Sequence, residues 1–352
     1  MTIQQYLELV IKKEASDLHL VVGNKPTLRI DGLLQPVADA PVLTEEEAEK
    51  LVFELVSEEQ KELLLVNKEI DFSFALGNVA RFRVNAYYQK GYLSASLRLI
   101  PIKIKNIEEL NLPKVCHEFA ALQQGFILVT GPTGHGKSTT IAAVISEINQ
   151  TRPVHVLTIE DPIEYVYPSG KAIISQRELH LDTHSWEIAL RSALREDPDV
   201  VLIGEMRDYE TIASAITIAE TGHLVFATLH TNSAAQTIDR IVDVFPEHQQ
   251  AQVRSQLSAT IAGIISQRLI PAIEGGRFPA VEILLANSAV RTVVREAKTH
   301  QIDNIIQTSS SDGMVTLEAS LAQLVSVGKV RLEIAQNFAN RPDEVTRLVR
   351  GR

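Results

Sequence analysis

Gly131-Pro132-Thr133-Gly134-His135-Gly136-Lys137-Ser138 stands between an apolar run at 126–130 and a stretch of helical spacing that opens near Lys137. G-x-x-x-x-G-K-S between a strand and a helix is the spacing of a phosphate-binding loop. Glycines let successive backbone N–H groups turn inward around phosphate oxygens, and the helix N-terminus adds the positive end of its dipole. Lys137 then reaches the β and γ phosphates, the Ser138 hydroxyl ligates Mg²⁺, and Thr139 follows in the same helical turn. The reading is a nucleotide-binding loop made of residues 131–139, with a nucleoside triphosphate and Mg²⁺ as cofactors. An empty glycine turn is the alternative, and the flanking strand and helix count against it.

Downstream, strand-like runs at 154–159, 200–203 and 224–229 alternate with helical stretches, which predicts a mostly parallel sheet covered on both faces. Ligands of such sheets bind at the carboxyl ends of the strands. Glu160 ends the first of these runs, where its carboxylate could orient and deprotonate water or simply be an acidic loop exit. Glu205 follows the second, where it could hold Mg²⁺ through water or place the nucleophile. His223 and His230 bracket the third, as sensors of the γ-phosphate or as ordinary polar contacts. Zinc is a poor explanation for them, because they lie seven residues apart across a strand without an H-E-x-x-H helix. Beyond Ser233 the pattern reads as largely helical, with Gly and Pro punctuation at 271–279.

The first hundred residues have another texture, that of a small α/β unit. An amphipathic start (Ile3, Leu7, Val10, Ile11) precedes short strand-like runs at 18–22 and 27–30. Thr44 with Glu47 forms a capping box, and Ala48, Leu51, Val52, Leu55 and Val56 continue a helix to about Leu65. From Ile70 the period becomes two, through Phe72 and Phe74, then Phe82, Val84 and Ala86, then Leu93, Ala95, Leu97 and Leu99. These are antiparallel strands with a turn at Lys90 and Gly91. Alternation puts Arg81, Arg83 and Arg98 on one face, as a solvated surface or as guanidinium groups suited to phosphate. A proline-bearing segment, 101–113, reads as a linker between a domain at 1–100 and one at 114–352.

The chain has 352 residues, 45% of them hydrophobic and 22% charged, within the ordinary range of globular proteins. With Cys116 as the one cysteine, no internal disulfide or four-cysteine cage can form. The net charge of −10 lowers a nucleic-acid reading. The N-terminus lacks the apolar core of a signal peptide and no run is long enough for a membrane span, so a soluble chain with at most a peripheral membrane link is expected.

Four ordered boxes, 131–140, TIEDPIE at 158–164, LREDPDVVLIGEMRD at 194–208 and TGHLVFATLHT at 221–231, resemble the Walker A, Asp, Walker B and His boxes of the secretion superfamily ATPases. AVRTVVRE at 289–296 is similar to the box of the branch that retracts type IV pili, with Arg291, Arg295 and Glu296 kept. Departures are that box's wording and His135, where the family usually has a small residue. The resemblance implies an α/β fold, a PAS-like N-terminal domain followed by a RecA-like P-loop ATPase domain with a helical C-terminal part. It implies ATP and Mg²⁺ as cofactors, Glu160 as the glutamate that activates water, Glu205 as the Walker B acid, and His223 and His230 as His-box residues. Arg81, Arg83 and Arg98 would meet the nucleotide. It further implies a homohexamer beside the inner membrane in the cytoplasm, acting on a pilus platform protein, with a second retraction ATPase as a possible partner and no nucleic acid. Pilus-extension and type II secretion ATPases are the competing reading, set back by their longer N-terminal region and four-cysteine zinc site. A DNA translocase and a non-hydrolysing hexameric scaffold are further alternatives.

Overall fold

The computed structural model describes residues 1–30, 32–77, 79–100 and 104–351. The chain divides into two compact units, Met1–Lys103 with Pro162–Val166, and Ile104–Asp161 with Tyr167–Arg352. Residues 101–103 of the expected linker lie outside the described residues.

Among the described residues the first unit is built on six strands, β1 (Asp17–Leu20), β2 (Thr27–Ile30), β3 (Leu33–Pro36), β4 (Glu69–Leu76), β5 (Ala80–Gln89) and β6 (Tyr92–Ile100), in the order β3-β2-β1-β6-β5-β4. Leu18, Leu20, Phe82, Val84, Ala86, Ala95 and Leu97 form one buried face, which packs with Tyr6, Leu7, Val10, Ala48, Leu51 and Val52 of the helices. Lys90 and Gly91 both have positive φ, 52° and 86°, as a two-residue hairpin loop of type I′ requires. The helix expected to run from Thr44 to about Leu65 is two helices, Glu45–Phe53 and Glu58–Asn67. The break is local chemistry: Ser57 accepts from the Gln60 N–H, and the Gln60 side chain accepts from the Ser57 N–H, so a second capping box starts a new helix. The run at 18–22 is the shorter β1, and β3, with Leu33 and Leu34 exposed, carried no pattern that separates it from a loop.

The second unit carries seven strands, β7 (Gly125–Thr130), β8 (His155–Glu160), β9 (Ile173–Glu178), β10 (Val200–Ile203), β11 (Leu224–Leu229), β12 (Ile261–Pro271) and β13 (Arg277–Leu285). Their order is β13-β12-β7-β11-β10-β8-β9, parallel from β12 to β9, with β13 antiparallel at the edge. Alternate residues face opposite layers. Ile127, Val129, Leu202, Phe226 and Ile265 meet Ile141, Val144, Ile145 and Ile148, while Leu128, Leu157, Ile159, Val201, Ile203 and Val225 meet Leu190, Ile212, Ala215 and Ile216. The β12–β13 hairpin lies inside the stretch read as largely helical. Its strands are buried on both faces, so they show no alternation, and a continuous apolar run cannot be told from a buried helix by periodicity. Helices return after Leu285, and Leu317, Leu321, Val330, Ala335 and Val345 pack there on Ile270 and Ala280.

Glu282, in β13, is only 6% exposed, and its Oε1 accepts from the Ala234 N–H at 2.7 Å, at the start of helix Ala234–Asp243. Burial pushes its carboxyl up to about 7; the Ala234 N–H and Arg341 pull it down, and Asp303 and Glu318 push it further up. An acid raised in the fold binds a proton that the unfolded chain has lost, so its stability contribution is full below the unfolded value of 4.5 and is lost as pH rises through about 7. A shift of this size is worth on the order of 3 kcal/mol. Glu282→Gln keeps an acceptor for Ala234 without the charge. Its thermal midpoint is expected to exceed that of the unsubstituted protein at pH 8, by a margin that shrinks toward pH 5; equal margins at both would show that the carboxyl is not the titrating group.

Candidate nucleotide site

Parallel pairing brings the carboxyl ends of four strands to one edge. Thr130 stands opposite Leu229, Ala227 opposite Ile203, and Ile203 opposite Ile159. The residues that follow, Gly131, Glu160, Glu205 and His230, therefore share that edge.

The phosphate loop leaves β7 through Gly131, Gly134 and Gly136 at φ of 140°, 77° and 83°, backbone that L side chains rarely adopt. Helix Lys137–Thr151 then begins, with Lys137 and Ser138 in its first turn. Lys137 is 8% exposed and its ammonium donates to the carbonyls of Gly131 at 2.9 Å and Pro132 at 3.1 Å. It also lies 3.4 Å from His230 Nδ1, which Thr133 Oγ1 approaches at 3.3 Å. An ammonium can only donate, so Nδ1 accepts and the imidazole proton sits on Nε2. From there it faces Glu205 Oε1 at 3.0 Å. His230 thus bridges the loop lysine and the acid at the end of β10. The other Glu205 oxygen accepts from Arg207 at 2.8 Å. Burial alone would raise the Glu205 carboxyl, but the Arg207 hydrogen bond, the charges of Arg207 and Lys137 and the polar N–H of His230 hold it below the usual range, so it is ionised.

Glu160 is 8% exposed at the last position of β8. Its Oε1 accepts from Thr158 Oγ1 at 2.7 Å and from Gln176 Nε2 at 3.4 Å, contacts that fix the carboxylate's direction. Gly204 permits the close passage of β10 here: a Cβ on it would lie 3.2 Å from Glu160 Cα.

The described residues include no group of three or more His, Cys, Asp or Glu that could hold a metal. Mg²⁺ at this edge would take Ser138 and Glu205, directly or through water, with phosphate oxygens completing its shell, as Mg²⁺ usually does. The positive-φ glycine cradle and the helix N-terminus fit the phosphate groups of a nucleotide.

His223 is not part of this constellation. It precedes β11, whose six residues at about 3.3 Å each carry the chain about 20 Å to His230. Its Nδ1 lies 3.1 Å from the Ile218 carbonyl and 3.0 Å from Thr221 Oγ1, so it caps the end of helix Tyr209–Glu220. Flanking one strand says nothing about sharing an end of it. In the first unit, Arg83 stands opposite Arg98, and Arg81 lies two residues along β5, which puts all three on one face. Arg98 Nε donates to Asp17 Oδ1 at 2.8 Å, and Arg29 approaches the other Asp17 oxygen at 3.7 Å. Arg98 is therefore held by an acid that the sequence did not single out. In helix Ser288–Arg295, Val290, Val293 and Val294 are buried. Arg291 donates to the carbonyls of Ser258 and Ala259, both at 2.6 Å, while exposed Glu296 pairs with Lys298 at 2.8 Å.

Behind the loop stands a brace that no sequence motif marks. Gln267 on β12 donates to the His135 carbonyl at 2.8 Å, and Arg277 on β13 to that of Gly134 at 3.3 Å. The available signal was a Ser-Gln-Arg triplet inside an otherwise apolar run, 261–271.

A seven-stranded, largely parallel sheet with a glycine loop, an ordered lysine and two carboxylates at one edge defines the P-loop ATPase class. A family profile described as "Type II/IV secretion system protein" matches residues 1–275. The "Type IV pilus retractation ATPase PilT" of Pseudomonas aeruginosa is 48% identical over 97% of this chain and 99% of its own length. The "Twitching motility protein" of Neisseria gonorrhoeae is 48% identical over 91% and 86%. The crystal structure of the pilus retraction motor PilT with bound ADP superposes with a TM-score of 0.92, at 46% identity, over 99% of both chains. The chain belongs to the type II/IV secretion system protein family, and it is an ATPase.

Lys137→Ala is expected to weaken nucleotide binding by about 100-fold, the scale of a lost hydrogen bond between charged groups; isothermal titration with ADP checks it. His230→Ala is expected to lower the rate of phosphate release at least tenfold, with His223→Ala within about threefold of the unsubstituted protein. Equal losses in the two histidine variants would contradict their placement at opposite edges.

Proposed function

We propose that the chain is the ATP-driven motor that retracts a type IV pilus, working as a homohexamer on an inner-membrane platform protein. The observation that carries this reading is identity near one half over almost the whole chain to a retraction ATPase, together with an intact nucleotide edge. No helix among the described residues is long and apolar enough to cross a membrane, which suits a motor that meets the membrane through a partner.

In this reading the loop amides and Lys137 hold the phosphates, and Glu160, directed by Thr158 and Gln176, accepts the proton of the attacking water. Bound Mg²⁺ would neutralise charge on the β and γ oxygens. His230, held between Lys137 and Glu205, links the loop to the acid, so loss of the γ-phosphate changes both at once. Arg81, Arg83 and Arg98 serve as phosphate ligands, an assignment supported by their chemistry and shared face. A second retraction ATPase and a peripheral position at the cytoplasmic side of the membrane belong to the same proposal.

The exposed Glu296 and Arg295 form the coupling surface, held outward by the buried valines of their helix. Glu296→Ala is expected to keep ATP turnover within about twofold while abolishing twitching in cells, because exposed substitutions away from a site change little else. Normal twitching in the variant would remove the coupling role from this helix.

A further inference from the structure

Backbone N–H groups cradle a phosphate only if their peptide planes are turned correctly, and a plane is turned by whatever holds its carbonyl. In a trans, planar peptide the C=O and N–H point in opposite directions. The carbonyl of the His135–Gly136 peptide accepts from Gln267 Nε2 at 2.8 Å, which aims the Gly136 N–H away from β12 and into the loop. Gln267 Oε1 accepts from the Thr140 hydroxyl at 2.7 Å, so both ends of the amide are engaged and its orientation is set. Gln267 is 2% exposed, and water cannot readily replace either partner.

The approach is close. A Cβ on Gly131 would lie 2.2 Å from the Gln267 carbonyl oxygen, and one on Gly136 would lie 2.9 Å from Nε2. His135 is turned the same way, since its Nδ1 accepts from the Leu269 N–H at 3.0 Å. Burial, with the charges of Arg277, Arg268 and Lys137, holds this imidazole below its ordinary range and keeps Nδ1 an acceptor. That accounts for a bulky residue in the loop: its side chain faces β12.

We propose that Gln267 is a positioning residue for the nucleotide phosphates, its amide locking the His135–Gly136 peptide so that the Gly136 N–H faces them. This rests on the nucleotide-binding reading of the loop. Gln267 acts through the loop and not on the reacting atoms. Because loop amides hold phosphate in the ground state and the transition state alike, its loss is felt in binding and not in the chemical step.

The test compares ADP affinity, the ATP KM and kcat in the full-length protein and in Gln267→Leu, Thr140→Val and Thr140→Ser. Gln267→Leu is expected to raise the ADP Kd and the ATP KM in parallel, about tenfold for one lost buried hydrogen bond, with kcat within about threefold. Thr140→Val, which frees the amide to turn, gives a smaller shift of the same kind, and Thr140→Ser, which keeps the hydroxyl, restores affinity. Unchanged affinity in Gln267→Leu and Thr140→Val overturns the proposal, as does a fall in kcat at constant KM. If Gln267→Leu does not fold, the Thr140→Val and Thr140→Ser pair decides alone. Failure of the unsubstituted protein to bind ADP or ATP would instead overturn the reading of the loop.

Discussion

Parallel pairing of β7, β11, β10 and β8 with their carboxyl ends in register is the constraint from which the site follows. The pairs Leu229–Thr130, Ile203–Ala227 and Ile203–Ile159 fix where the chain leaves the sheet. Each exit carries one chemical group: the phosphate loop, Glu160, Glu205 and His230. A slip of one residue in any strand would turn its apolar side chains to the wrong layer, so the packing that stabilises the sheet also guards the geometry of the edge.

Electrostatics decides how the edge is wired. Lys137 is nearly buried, and a buried ammonium is tolerated only with partners. Its carbonyl partners belong to the loop itself, and His230 ties it to an ionised Glu205 on a neighbouring exit. Loop, histidine and acid therefore form one hydrogen-bonded unit, in which a change at the phosphates is a change at Glu205. Behind the loop, Gln267, Leu269 and Arg277 engage groups that face away from the phosphates, so the cradle is fixed from both sides.

What the sequence disclosed tracks how local each determinant is. The glycine loop, the strands around it and the capping box at Thr44 depend on residues within a few positions of one another, and the structure forms them as read. The positions of Glu160 and Glu205 at one edge were legible because a strand end is a sequence feature and the sheet type follows from βα alternation. The β12–β13 hairpin was not, because strands buried on both faces lose the alternation that marks a strand. Gln267 was hidden with it. For His223 the sensor and the ordinary polar contact both stayed open, because flanking a strand does not say which end is shared, and the tie from Asp17 to Arg98 spans 81 positions that only the sheet brings together.

Hydrolysis of ATP at this edge, in an assembly of subunits, is what the proposed motor depends on. The direct measurement is Mg²⁺-dependent phosphate release from ATP by the purified protein across a range of protein concentrations, with Glu160→Gln alongside. The rate per subunit is expected to rise with concentration and level off, with a loss of about 10² to 10⁴ in the variant while ATP stays bound, the range for removing a general base. Turnover by Glu160→Gln at the unsubstituted rate, or bound ATP with no release at any concentration, would contradict it.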